Sequence, residues 1–148
     1  MVSEKYGLSL VERAYEIAKK AHAGQVDSQK KPYITHPEFV ASLCDTDEEK
    51  IVAYLHDTVE DTDVTLGQIR EEFGDKIADA VAIMTHDVSV EYMEYIKKIA
   101  ENPLARKVKM CDLTHNMDIT RVPNPKSYHY KRVEKYKKAY EYLRCYSK

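Results

Sequence analysis

The chain has 148 residues, of which 43% are hydrophobic and 32% charged, and its formal net charge is −2. This composition is typical of one folded domain, and it excludes a disordered polar chain and a strongly basic nucleic-acid-binding protein. No apolar run approaches the roughly 20 residues that cross a bilayer, and the N-terminus lacks the apolar core of a signal peptide, so we expect a cytoplasmic protein.

The helical pattern begins close to the N-terminus. Side chains at spacings of three and four predict one face of a first helix, formed by Leu8, Val11, Tyr15, Ala18 and His22. Ser9 and Glu12 have the spacing of a capping box, in which each side chain bonds a backbone N–H of the first turn. A polar loop over residues 24–35 follows. The next helix is predicted to begin at His36 and Pro37, because proline lacks an N–H that the first turn leaves unpaired anyway.

Capping signals predict the helices that follow. Thr46 and Glu49 form a second capping box, Thr65 and Gln68 form a third, and Gly74 ends the short helix after it. Apolar positions at helical spacing predict further helices over residues 77–84, 93–99, 103 to about 119, and around Val133, Tyr136, Tyr140 and Leu143. No tight hairpin turn is apparent. We therefore predict an all-α fold, with residues 1–148 forming a single helical-bundle domain.

A histidine and three carboxylates occupy one end of the helix that Thr46 caps. His56 and Asp57 are followed four residues later by Glu60 and Asp61, and residues four apart share a helix face. Repulsion among the three carboxylates is unfavourable without a cation, and a bound divalent metal removes it. On these residues alone, an acidic and solvated helix end is the alternative interpretation.

Two other segments supply further candidate ligands. His36 lies at a predicted helix start, where an isolated histidine is also typical of a cap or a surface residue. Lys109, Asp112 and Asn116 share one stripe of the helix after Pro103. That stripe is consistent with solvent-facing residues, and equally with a phosphate contact, a metal ligand and a substrate contact.

Two imidazoles and two carboxylates would form a mixed nitrogen and oxygen site for one divalent ion. Such a site suits manganese, iron or cobalt better than magnesium or calcium, which prefer oxygen ligands alone. The ion would lower the pKa of a bound water and polarise a phosphoryl oxygen. These residue types therefore point to hydrolysis of a phosphate ester.

Four segments carry a family resemblance: AHAGQ at 21–25, PYITHP at 32–37, LHDTVEDT at 55–62, and KMCD with HN across 109–116. In these segments and in their order, the sequence resembles the HD superfamily of metal-dependent phosphohydrolases. More narrowly, it is similar to the (p)ppGpp hydrolase domain of the Rel/Spo stringent-response family. The similarity extends from about Leu8 to Arg121.

The resemblance implies a helical HD domain with one divalent ion, Mn²⁺ first and Fe²⁺, Co²⁺, Ni²⁺ or Zn²⁺ as alternatives. The metal ligands that it implies are His36, His56, Asp57 and Asp112. It implies catalysis by Glu60 and Asp61, which would orient or deprotonate the attacking water, and substrate binding by Tyr33, Lys109 and Asn116. The implied reaction removes pyrophosphate from the 3′ position of a guanosine polyphosphate, converting ppGpp to GDP. At this length, we expect a hydrolase-only version of the family.

The residues that would recognise the base depart from the family pattern. Asp27 stands where the family usually has a basic residue that packs on guanine, Leu113 where it usually has Arg, and Asp118 where a basic residue is common. Two alternatives follow: an HD phosphohydrolase acting on a different nucleotide or small phosphate ester, or a non-catalytic nucleotide-binding HD domain. Retention of Glu60 and Asp61 favours catalysis, because binding alone would not need these carboxylates.

We expect the remaining histidines and the tyrosines to have structural roles. We interpret the pair of His86 and Asp87 as a helix terminus, His22 as a packing residue or one outside the ligand set, and His129 as a surface or interface residue. The twelve tyrosines are expected to cover the core or to form a homodimer contact rather than to bind bases. The expected partner is a small-molecule nucleotide, with no membrane and no nucleic-acid polymer.

Overall fold

The computed structural model describes residues 2–3, 8–27 and 29–147. Within these ranges the chain is mainly helical, and a short antiparallel ribbon pairs β1 (Val2–Ser3) with β2 (Leu8–Ser9). The α-helices are α1 (Leu10–Ala21), α2 (Thr35–Ser42), α3 (Asp47–Leu55), α4 (Thr58–Asp61), α5 (Leu66–Phe73), α6 (Asp75–Met84), α7 (Tyr92–Ala100), α8 (Pro103–Asn116) and α9 (Ser127–Tyr146), and a 3₁₀ helix covers Ile119–Arg121. The predicted all-α class is confirmed.

The three predicted capping boxes begin helices α1, α3 and α5. Ser9, Thr46 and Thr65 each accept a hydrogen bond from the backbone N–H three residues later, and the residue at that position bonds back. Replacing such a cap by alanine typically lowers stability by about 1 kcal/mol. Leu8 lies in β2 and not in the first helix, because the box at Ser9 sets the helix start after it.

Two predicted helix bounds are wrong by a few residues. Helix α2 begins at Thr35, so Pro37 occupies its third position and not its first. Helix α8 ends at Asn116, earlier than the predicted 119. The carboxylate of Asp118 accepts hydrogen bonds from the backbone and hydroxyl of Thr120, and these bonds stabilise the start of the separate 3₁₀ helix.

Helix α3 lies at the centre of the bundle and packs against α1, α2, α6 and α8. Its side chains Ile51, Val52 and Leu55 are fully or almost fully buried, and burying each contributes about 1.5–3 kcal/mol of hydrophobic stabilisation. Helices α2 and α8 also pack against each other. This three-helix contact places the candidate ligands of α2, α3 and α8 at one point.

Among the described residues, no helix is both long and apolar enough to cross a membrane.

Candidate metal centre

The four predicted metal ligands converge although they span positions 36 to 112 of the sequence. His36 lies in the first turn of α2, His56 follows α3, Asp57 precedes α4, and Asp112 lies on α8. Asp112 Oδ1 is 2.8 Å from His36 Nε2 and 3.3 Å from His56 Nε2, and His56 Nε2 is 3.1 Å from Asp57 Oδ2. His36, His56 and Asp112 are buried, and Asp57 is half-buried. The structure therefore brings all four side chains into one site.

The chain leaves the helix at His56 and Asp57, whereas the sequence predicted one helix through them. Helix α3 ends at Leu55, and α4 begins at Thr58. Consecutive residues of a continuous helix would point about 100° apart, given 3.6 residues per turn. Where the chain turns, His56 Nε2 lies between the two carboxylates, 3.1 Å from Asp57 Oδ2 and 3.3 Å from Asp112 Oδ1.

The break places Glu60 and Asp61 on a different helix from the one that His56 follows. The expectation that His56 and Glu60 share a helix face is wrong, because Glu60 lies beyond the break on α4. Glu60 and Asp61 instead join Asp57, and one oxygen of each of these three carboxylates lies within 4.8 Å of the others. Asp57 therefore contributes to two neighbouring groups, the buried ligand set and a more exposed acidic group.

The ring of His56 is oriented as a metal ligand would be. Its Nδ1 lies 2.6 Å from the carbonyl of Ala53 and must donate, because a carbonyl oxygen can only accept. In the neutral ring, Nε2 therefore carries a lone pair. Nε2 is buried, and neither of its close carboxylate contacts has hydrogen-bond geometry, so it lacks a partner in the described part of the chain. A divalent cation between Nε2 and the carboxylates would satisfy all three groups.

The electrostatics of the site also require positive charge at this point. Burial lowers the pKa of His56, but the charges of Asp57 and Asp112 more than reverse this and raise the pKa well above its usual value. For Asp57, burial raises the pKa and His56 lowers it, with a net result of about 2. For Asp112, burial raises the pKa, but Lys109 and the histidines lower it well below its usual value. Both carboxylates are therefore ionised, and a metal ion or a proton balances their charge.

His115 contacts the second candidate imidazole ligand, His36, and the sequence analysis did not predict this contact. Its Nδ1 is 2.7 Å from His36 Nδ1, and the two rings stack with centroids 5.0 Å apart. Burial and the charge of Arg121 lower the pKa of His115 to about 4, so its ring is neutral near neutral pH. A neutral His115 can accept the Nδ1–H of His36, which leaves His36 Nε2 available to a metal. The sequence offered a signal, since His115 lies three residues after Asp112 and therefore close to it on a helix.

Replacing His115 by phenylalanine is expected to weaken metal affinity by about 10- to 100-fold, the usual effect of losing the hydrogen-bond partner of a ligand. The phenyl ring can keep the stacking on His36 and Phe39, so the fold should persist. Titration calorimetry with Mn²⁺ measures the affinity, and circular dichroism checks the fold. The matched control is His129→Phe on α9. Unchanged Mn²⁺ affinity in His115→Phe would contradict the orienting role.

The three predicted substrate-binding residues contact the ligand carboxylates. Lys109 Nζ lies 2.9 Å from Asp112 Oδ2, and Asn116 Nδ2 donates to Asp112 Oδ1 at 3.2 Å. The hydroxyl of Tyr33 donates to Asp57 Oδ2. Burial lowers the pKa of Lys109, but Asp112 raises it well above its usual value, so this cation persists. All three side chains therefore hold the carboxylates in place, and their contact with substrate stays a prediction.

Glu60 and Asp61 form the solvent-exposed side of the site. Desolvation and the negative charge of Asp57 raise the pKa of both carboxyl groups. Glu60 Oε1 accepts a hydrogen bond of 3.2 Å from the backbone N–H of His86. The loop after α6 thus holds the side chain of Glu60. Sequence reasoning could not have found this contact, because a backbone donor leaves no residue signature.

Comparison with known proteins gives a consistent result. A family model described as "HD domain" matches residues 14–132. A probable GTP pyrophosphokinase of Mycobacterium leprae is 37% identical over 134 residues, or 82% of this chain. A guanosine-3′,5′-bis(diphosphate) 3′-pyrophosphohydrolase of Aquifex aeolicus is 36% identical over 119 residues, or 72% of this chain. The chain spans only 17% of the length of each of these two relatives.

Two further comparisons extend this result. The bifunctional (p)ppGpp synthase/hydrolase SpoT of Escherichia coli is 34% identical over 124 residues, covering 71% of this chain and 17% of the relative. A solved structure, described as a metazoan ortholog of SpoT that hydrolyzes ppGpp, has a TM-score of 0.71 and 24% identity, covering 93% of this chain and 85% of that chain. This similarity shows a shared fold. Since the HD domain model spans most of the chain and all four convergent ligands, this chain belongs to the HD domain family.

Proposed function

We propose that the protein is a metal-dependent phosphohydrolase that removes pyrophosphate from the 3′ position of a guanosine polyphosphate such as ppGpp. The observation that carries the proposal is the convergence of two imidazoles and two carboxylates around the unpartnered Nε2 of His56. The relatives named as 3′-pyrophosphohydrolase and as (p)ppGpp synthase/hydrolase support the substrate class.

We propose that His36, His56, Asp57 and Asp112 hold one divalent ion. The mixed donor set supports Mn²⁺ first, with Fe²⁺, Co²⁺, Ni²⁺ and Zn²⁺ as alternatives. When bound, such an ion lowers the pKa of a coordinated water and polarises a phosphoryl oxygen.

The remaining residues of the site have separate roles in this proposal. Tyr33, Lys109 and Asn116 hold the two carboxylates through direct hydrogen bonds and face the nucleotide. Glu60 or Asp61 accepts the proton of the attacking water. The raised pKa of both groups supports this role, because a carboxylate with a raised pKa is a stronger base.

Three broader proposals accompany this function. Residues 1–148 form a single HD-type domain, the protein acts in the cytoplasm on a small nucleotide and not on a nucleic-acid polymer, and two copies form a homodimer. The balanced net charge of −2 supports a small-molecule substrate. Exposed tyrosines on α9, Tyr128, Tyr130 and Tyr146, support a dimer contact, which sedimentation analysis can test.

The proposed function is tested by measuring pyrophosphate and phosphate release from ppGpp. The protein is stripped of metal with a chelator, reloaded with Mn²⁺, and compared with the stripped form and with other phosphorylated nucleotides under identical conditions. We expect Mn²⁺-dependent pyrophosphate release from ppGpp. Absence of metal-dependent hydrolysis of every nucleotide would contradict the enzyme proposal and favour a non-catalytic nucleotide-binding domain.

A second candidate function is hydrolysis of a different phosphorylated nucleotide, and the loop at Asp27 favours it. Asp27 Oδ1 accepts hydrogen bonds from the backbone N–H groups of Gln29 at 2.8 Å and Lys31 at 3.0 Å. Lys30 has a φ of 64° and so lies in the left-handed region. The carboxylate of Asp27 therefore stabilises a tight loop where the family usually has a base-stacking cation.

We expect the substitutions Asp27→Asn and Asp27→Arg to change the KM for ppGpp in different ways. Asp27→Asn keeps the acceptor oxygen and removes the negative charge, so we expect a lower KM for ppGpp, by less than about tenfold because exposed charges contribute roughly 1 kcal/mol or less. Asp27→Arg supplies a stacking cation but loses both loop hydrogen bonds. Steady-state kinetics on ppGpp and on a second nucleotide separate these effects. Equal KM values in the wild type and Asp27→Asn would show that charge at this loop does not select the substrate.

A further inference from the structure

His22 is a buried histidine outside the proposed ligand set, and its protonated nitrogen can be assigned. The residue caps the C-terminal end of α1 and is 2% exposed. Its Nδ1 is 2.8 Å from Gln25 Oε1, and Gln25 Nε2 donates to the backbone carbonyl of Asp61 at 3.1 Å. Because that carbonyl can only accept, the amide of Gln25 has one allowed orientation, and His22 Nδ1 must donate to its oxygen. In the neutral ring, Nε2 is therefore a bare acceptor.

The acceptor at His22 Nε2 is buried and has no hydrogen-bond partner among residues 2–3, 8–27 and 29–147. An unpaired buried acceptor destabilises the fold relative to a carbon atom at the same place. His56 Nε2 is also buried without a hydrogen-bond partner, and the proposed metal ion would pair with it. His22 does not belong to the group of atoms around His56 that could hold the ion. The lone pair of His22 Nε2 therefore needs another partner, a hydrogen-bond donor.

The surroundings of His22 place it beside the catalytic side of the site. Its ring packs on the ring of Tyr33, with centroids 4.8 Å apart, and the Tyr33 hydroxyl is already committed to Asp57. Through Gln25, His22 is linked to the end of α4 that carries Asp61. The ring therefore lies beside residues that contact Asp57 and Asp61, and a water bound near these carboxylates is the donor considered for Nε2.

We propose that His22 Nε2 accepts a hydrogen bond from the water that attacks phosphorus, which makes His22 a catalytic residue. This inference rests on the proposed phosphohydrolase function. The water gives one proton to the carboxylate of Glu60 or Asp61, and its other hydrogen stays bonded to the oxygen and points at Nε2. The oxygen forms a bond to phosphorus, the bond from phosphorus to the 3′ oxygen breaks, and that oxygen leaves with a proton from solvent. His22 thereby aims the lone pair of the water at phosphorus.

Two substitutions separate the acceptor from the rest of the ring. His22→Asn places an amide near the position of Nδ1, so it can keep the bond to Gln25 while removing the acceptor at Nε2. His22→Gln extends its amide oxygen to the position of Nε2. We expect kcat to fall at least about 100-fold in His22→Asn, with KM nearly unchanged, and His22→Gln to recover part of the loss. The control is His129→Asn on α9.

Two measurements do not depend on turnover. Metal content by mass spectrometry should be the same in the wild type and in both His22 variants, because His22 is not a ligand. Nitrogen NMR of the wild-type ring should show the Nδ1–H tautomer, and finding Nε2–H would overturn the proposal.

The kinetic outcomes distinguish the two proposals. If the wild type hydrolyses a nucleotide and His22→Asn keeps its kcat, or loses its metal, this inference alone fails. If the wild type hydrolyses no nucleotide, the proposed function fails, and the role of His22 fails with it.

Discussion

Replacing Asp57 by alanine, or His56 by alanine, is expected to abolish both metal retention and turnover. Each change removes one of four convergent ligand atoms, and loss of Asp57 also leaves the Tyr33 hydroxyl without its acceptor. Since removing even an outer partner of a ligand weakens metal binding about 10- to 100-fold, loss of a ligand itself should exceed about 100-fold. Metal content after gel filtration and Mn²⁺-dependent hydrolysis measure the two effects.

Thermal unfolding gives an independent measure of the same prediction. A ligand present at 100 times its Kd stabilises the folded state by about 2.7 kcal/mol, which raises the melting temperature of a domain of this size by roughly 5–10 °C. We expect this Mn²⁺-induced shift in the wild type and its absence in Asp57→Ala and in Asp57→Asn, which keeps the shape of the side chain. Asp63→Ala, at an exposed acid after α4, is the matched control. A normal shift and full activity in Asp57→Ala would refute the metal assignment.

Replacing Glu60 by glutamine is expected to remove turnover and leave the metal bound. The glutamine oxygen can still accept the hydrogen bond from the His86 backbone, so the substitution removes charge and basicity while preserving position. Loss of a general base typically lowers kcat by about 10²- to 10⁴-fold. We expect that loss with unchanged metal content, and single-turnover kinetics should show that the chemical step is slowed.

The companion variant Asp61→Asn identifies which carboxylate takes the proton. Both groups lie close to Asp57, and both have a raised pKa. The variant with the larger loss of kcat marks the base, and the other residue then positions the water. Glu71→Gln on α5 is the matched control, because Glu71 is an exposed glutamate outside the site. If Glu60→Gln released the metal, Glu60 would be a ligand and the proposed division of roles would be wrong.

Much of the helical architecture can be predicted from the sequence because its signals are local. A capping box needs only two residues three positions apart, and the boxes at Ser9, Thr46 and Thr65 start the helices as predicted. Helix α8 also begins at Pro103 as predicted, and the side chain of Asn102 accepts a hydrogen bond there from the backbone N–H of Ala105. The chemical types of the four candidate metal ligands are also apparent from the sequence, because histidine and aspartate in the family's order indicate the HD domain.

The break between α3 and α4 could not be predicted, because helical spacing continues through it. The buried hydroxyl of Thr58 donates to the carbonyl of Leu55 at 2.8 Å, and His56 Nδ1 donates to the carbonyl of Ala53. Side chains thus satisfy carbonyls at the end of α3 that a continuous helix would have paired with backbone N–H groups. Both hydrogen bonds join residues that are close in the sequence. They form in place of the helical backbone bonds because of the way α3 packs in the core.

Most of the helices, the HD family and the residue types of the candidate metal site follow from sequence signals. The other side chains around this site come together through the tertiary structure. His115 meets His36 across 79 positions, the His86 backbone meets Glu60 across 26, and Gln25 meets the Asp61 carbonyl across 36. Such contacts depend on helix packing and on backbone donors. Sequence spacing does not show which residues pair in this way, because the partners are brought together by the burial of apolar faces elsewhere in the bundle.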